Sequence, residues 1–164
     1  MKNLSPQGSP HPGSANARRA EAHRQAGLQA QRARRWDAAA REFQRATDLT
    51  PADWLMWVNL ARSRMELGQH VGALEAAQRS FELDRTNIVA CRMAAELQLQ
   101  MARHADALRT LQALSEEAPR DHDYYNALGN ALFQNRDPRA AVDAFFKALT
   151  LKVEPARRTL PSRT

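Results

Sequence analysis

Apolar residues recur along this chain at the spacing of one helix face, and they come in paired runs. Between His122 and Pro155, Tyr125, Leu128, Gly129 and Leu132 share one face, and Ala141, Phe145, Ala148 and Leu151 share a second, which predicts two amphipathic helices. The polar break between them is Asn135-Arg136-Asp137-Pro138. There Asp137 can accept from the free amides of the second helix, and Pro138 can sit in its first turn at no cost in hydrogen bonds. The unit is a helical hairpin.

The same skeleton returns every 34 residues, over 20–53, 54–87, 88–121 and 122–155, without a gap. In the first copy Ala26-Gly27, Ala30, Trp36, Ala39, Phe43, Ala46 and Leu49 stand where the fourth has Leu128-Gly129, Leu132, Pro138, Ala141, Phe145, Ala148 and Leu151. The second keeps Trp57, Leu60-Ala61 and Ala73; the third, with Cys91 in the place of Tyr125 and Glu117 at an apolar site, is carried by register. Asp53, Asn87 and Asp121, also one period apart, precede the copies as N-caps, each contributing about 1 kcal/mol. Helices are expected over 17–33, 54–67, 70–83, 88–101, 104–117, 122–135 and 138–151, the first capped by Asn16.

This pattern resembles the tetratricopeptide repeat family over some 136 of the 164 residues. The resemblance implies an all-α fold, an α-solenoid winding as a right-handed superhelix of four antiparallel helical hairpins. Small residues at the eighth and twentieth sites of each copy let paired helices approach, and the large fourth-site residue, Trp57 in copy two, fills the gap. It further implies a concave groove lined by the first helix of each hairpin. At the family's groove sites stand Arg24, Leu28 and Arg32; Leu55, Val58, Asn59, Arg62 and Met65; Val89, Arg92, Met93 and Leu99; and Asn126, Asn130 and Phe133. Apolar side chains there suit a peptide, with Asn or Arg to hold its backbone or an acidic side chain. The clamp by which some members grip a chaperone's C-terminal carboxylate is matched by Asn59 and approximated by Arg24, whereas Leu28, Val89 and Met93 depart from it. That partner is disfavoured.

Composition narrows the picture. The length and 43% apolar content suit one core. Residues 1–16, with three Pro, two Gly and three Ser, read as a disordered leader, and 156–164 as a basic tail. Neither a secretory signal nor a membrane-spanning run is present, so a cytoplasmic protein is expected. The net charge of +6 is unevenly spread: residues 1–35 carry seven cations and one anion, 152–164 four and one, and the body 13 against 16. No aromatics interleave the basic ends and no readout motif follows, which argues against nucleic acid.

Candidate chemistry is sparse. His70 and His104 are one period apart, at the site of Trp36 and Pro138, so their placement follows from the repeat rather than from ligand spacing. Cys91 occupies a packing site without a neighbouring base and reads as a buried thiol. No phosphate loop, nucleophile elbow or metal motif occurs, so no catalytic residue, cofactor, metal or small-molecule substrate is expected. The expected function is a non-catalytic protein-interaction module. Two alternatives stay open, a secretion-type chaperone for an apolar export substrate and the N-terminal repeat region of a longer glycosyl- or sulfotransferase. Some of Val142, Phe145, Phe146 and Leu149 on the last hairpin are expected to stay uncovered unless a second copy, a partner or further chain docks there.

Overall fold

A computed structural model describes residues 12–158, with side chains over 15–153. Eight helices follow one another: α1 (Pro12–Arg32), α2 (Trp36–Leu49), α3 (Trp54–Glu66), α4 (His70–Leu83), α5 (Ile88–Gln100), α6 (His104–Gln112), α7 (His122–Gln134) and α8 (Pro138–Arg158). They form four hairpins stacked in sequence as an α-solenoid.

Close approach within hairpins follows from the small-residue sites. Ala39, Ala73, Ala107 and Ala141, one per repeat at the twentieth site, are all buried. At the eighth site glycine appears where an aromatic lies opposite: a Cβ on Gly27 would stand 2.7 Å from the ring of Phe43, and one on Gly129 2.6 Å from that of Phe145. Repeats two and three have Ala61 and Ala95 there, sharing a core cluster with the smaller Ala77 and Leu111 that stand at the site of those rings. Two apolar clusters result, one around Phe43, Met56, Leu60 and Leu97, the other around Val58, Phe81, Cys91, Leu111 and Tyr124. Trp57 is only half buried against the first, and its indole N–H donates to the Pro51 carbonyl at 2.9 Å.

Each hairpin turns through a left-handed residue at the fifteenth site: Arg34 (φ 55°), Gly68 (φ 71°), Ala102 (φ 57°) and Arg136 (φ 64°). Beyond it the chain closes a backbone bond to the carbonyl five residues back, as in Arg35 N–H to the Ala30 carbonyl at 2.9 Å and Arg103 N–H to that of Gln98 at 2.8 Å, the Schellman arrangement that satisfies helix-end carbonyls. Asp53, Asn87 and Asp121 cap α3, α5 and α7 through the amides of Leu55, Ala90 and Tyr124, and Asp137 accepts from Ala140.

Polar side chains bridge neighbouring helices. Arg64 donates to the Gly72 carbonyl at 2.9 Å and to Gln44 Oε1 at 2.7 Å, joining α3 to α4 and α2. Thr110 donates to buried Gln98 at 2.8 Å, and Asn135 to the His104 carbonyl at the same distance.

Three boundaries differ from expectation. Helix α1 begins at Pro12, so Asn16 lies inside it and residues 12–16, expected in the leader, are helical; the rest of that leader lies outside the described residues. Helix α8 runs on to Arg158, past Pro155. Helix α6 stops at Gln112, short of 117, because Ser115 N–H donates to the Arg85 carbonyl and Pro119 disfavours helix in the residue before it. Arg120 donates to the freed carbonyls of Leu114, Glu116 and Ala118.

Candidate interaction groove

The first helices of the last three hairpins, α3, α5 and α7, enclose a groove of about 560 Å³. Its apolar floor is Met65 from α3, Val89, Met93 and Leu99 from α5, and Ala127 from α7. Charged and polar walls are supplied by Arg62 and Glu66, by Arg92 and Glu96, and by Asp123 and Asn130. Arg62–Glu66 and Arg92–Glu96 are each one helical turn apart, so the walls follow from helix periodicity.

The electrostatics depend on how Arg92 is engaged. Its guanidinium meets the Asp123 carboxylate at 2.6 Å and lies 3.9 Å from Asp121. Hydrogen bonding to Arg92 holds the Asp123 carboxyl below the usual carboxylate range, against the opposing effect of burial. The Arg92 charge is therefore already paired. Glu66, Glu96 and Arg62 are exposed and make no ion pair among the described residues. Three carboxylates against two guanidinium groups leave the lining with one net negative charge.

Seven of the residues expected to line a groove do so: Arg62, Met65, Val89, Arg92, Met93, Leu99 and Asn130. The other eight do not border this cavity. Val58, 5% exposed, belongs to the second core cluster, and Asn59, 7% exposed, is buried, with its carbonyl accepting from Ser63 Oγ at 2.9 Å. Leu28 and Leu55 pack against the first cluster. Arg24 pairs with Glu21 at 3.1 Å, and Arg32 is exposed at the end of α1. Asn126 and Phe133 are exposed on α7 outside the groove walls. Glu66, Glu96, Asp123 and Ala127 border it as well, at the thirteenth, ninth, second and sixth sites of their repeats, so the periodicity that places Arg62 and Met93 there places them too.

The remaining candidates behave as packing or surface groups. Cys91 is fully buried and donates to the Thr110 carbonyl at 3.4 Å; burial pushes its thiol up to about 12, which keeps it protonated and un-nucleophilic. His70 is exposed at the start of α4, and His104 half buried at the start of α6. No group of His, Cys, Asp and Glu among the described residues is arranged to hold a metal ion. No described helix is long and apolar enough to cross a membrane.

Three family models described as tetratricopeptide repeat match residues 24–87, 64–131 and 122–152. No curated protein matches significantly. Among solved structures, MamA superposes with a TM-score of 0.77 at 18% identity, covering 88% of this chain and 84% of that one. YrrB, described as a TPR protein with an unusual peptide-binding site, gives 0.70 at 20% identity over 80% of this chain and 68% of its own. The TPR2B domain of yeast Sti1, solved in complex with pHsp70, gives 0.55 at 21% identity over 80% and 97%.

Proposed function

Because the chain belongs to the tetratricopeptide repeat family, we propose that it is a non-catalytic binding module holding a peptide or protein segment in the groove of α3, α5 and α7. The observation that carries this reading is the floor of Met65, Val89, Met93 and Leu99, apolar and adaptable, under walls that keep charged groups in water. Methionine suits such a surface because its thioether and three rotatable bonds let it remould around different side chains. The peptide-binding description of YrrB and the pHsp70 complex of the Sti1 domain are consistent with this use of the fold.

The charges define the occupant further. With Arg92 paired to Asp123, Arg62 is the wall cation without an ion pair among the described residues, against two open acceptors, Glu66 and Glu96. The segment that fits places two or more apolar side chains on the floor and Lys or Arg against those glutamates. Panning a random peptide library against the full chain tests this. Enriched sequences should combine apolar residues with Lys or Arg and should be lost against Met93→Glu. The double reversal Glu66→Lys with Glu96→Lys should switch the enrichment towards acidic peptides. Enrichment of acidic peptides by the parent, or binders indifferent to Met93→Glu, would refute the assignment.

A further inference from the structure

The last hairpin ends on an unusually apolar surface. Val142 is 65% exposed, Phe146 68% and Leu149 59%, with Phe145 and Val153 partly exposed beside them. Their spacing of three, four and seven residues places them in one row along α8. In earlier repeats the second helix stacks its equivalent face on the next hairpin: Thr47 and Phe81, at the twenty-eighth site shared with Leu149, are buried, as is Leu74 at the twenty-first.

The twenty-fifth site separates this surface from an ordinary stacking face. It is Gln44, Gln78 and Gln112 in repeats one to three and Phe146 in repeat four. In the first repeat Gln44 accepts from Arg64 of the following hairpin at 2.7 Å, and in the third Gln112 is exposed. Phe146 puts an aromatic ring where the other repeats have a polar amide, so the face calls for an apolar occupant.

We propose that the occupant is a second copy of this chain, packed α8 against α8 about a twofold axis. Head-to-tail stacking is disfavoured because the exposed side of α1 is polar, with Arg18, Arg19, Gln25 and Gln29 around Ala22 and Ala26; Phe146 would meet charge there. The α8 row is the extended apolar surface among the described residues, and an isologous contact sets it against itself. With the helices antiparallel and Phe146 near the axis, Val142 of one copy faces Leu149 of the other. The exposed flank carries both signs, Arg139, Asp143 and Lys147, so the copies meet without a like-charge surface.

Sedimentation of the full chain from low to high micromolar concentration tests this. A dimer is expected, and Phe146→Gln, which installs the residue of the other three repeats, should raise its dissociation constant by about tenfold or more, the loss typical of a central interface aromatic. Because Phe146 is exposed, the variant's melting curve at dilute concentration should match the parent's. Phe146→Cys should give a disulfide-linked dimer on mild oxidation, whereas the parent, with Cys91 buried, should not. A monomer across the whole range, a dimer insensitive to Phe146→Gln, or open-ended assemblies would each overturn the proposal.

Discussion

Gly27 and Gly129 offer a paired test of how the hairpins are packed. Both lie inside helices under a phenylalanine ring, and an added Cβ would stand 2.7 Å from Phe43 in one case and 2.6 Å from Phe145 in the other. The helices alone would gain about 1 kcal/mol from Gly→Ala. Opposing that, forcing a methyl into a filled core costs about 1 to 3 kcal/mol, and the two sites differ in whether the ring can yield. Phe43 is 0% exposed and enclosed by the first core cluster, while Phe145 is 38% exposed and can swing outward. Gly27→Ala should therefore lose up to about 2 kcal/mol, lowering the melting temperature by about 2 to 4 °C per kcal/mol at this size. Gly129→Ala should be neutral or gain up to about 1 kcal/mol from propensity. Urea and thermal unfolding of both variants, at concentrations where the chain is monomeric, give the comparison. Equal destabilisation, or a stabilised Gly27→Ala, would refute the claim that ring confinement decides the outcome.

Further outcomes follow from single groups. Ala102 holds a left-handed turn that Gly68 holds in the second repeat; Ala102→Gly should leave stability unchanged or raise it by up to about 1 kcal/mol, and a clear loss in urea midpoint would contradict that. Arg64→Leu leaves the Gly72 carbonyl and Gln44 without their donor and should cost about 1 to 3 kcal/mol; a double-mutant cycle with Gln44→Leu should show coupling, and strict additivity would remove the bridge from the account. The Cys91 thiol, raised by burial from 9.0 to about 12, keeps its proton in the folded chain while the unfolded chain loses it. Its contribution is thus fully present below pH 9 and declines as pH rises towards 12. The stability difference between parent and Cys91→Ala should be flat below pH 9 and fall above it, and a difference constant through that window would show that the thiol is not desolvated.

The period was legible because each copy repeats the same small, large and capping residues at fixed sites, so that even the third copy, with Cys91 and Glu117 at variant sites, keeps its helices in register. The turns were less so. A left-handed residue is signalled by glycine, and only Gly68 gives that signal; Arg34, Ala102 and Arg136 adopt the same conformation because the helices on either side impose it. The groove sites were legible as positions but not as surfaces. Val58 and Asn59 sit at nominal groove sites, yet the approach of neighbouring helices buries them, and that approach depends on side chains contributed by other repeats.

The eleventh site shows how far such dependence reaches. Ala30 and Leu132 occupy it in the first and last repeats, where an apolar reading holds, whereas Arg64 and Gln98 occupy it in the middle two. Read singly, both look like mismatches. In the structure Arg64 joins α3 to a carbonyl on α4 and an amide on α2, and Gln98 accepts from Thr110 on α6. Much of the packing around them is alanine, including Ala61, Ala73, Ala76, Ala77, Ala94 and Ala95, and alanine surfaces discriminate weakly between neighbouring registers because they present little shape. Directional bonds supply that discrimination, since a shift of one helical step would leave partly buried donors and carbonyls unpaired at about 1 to 3 kcal/mol each.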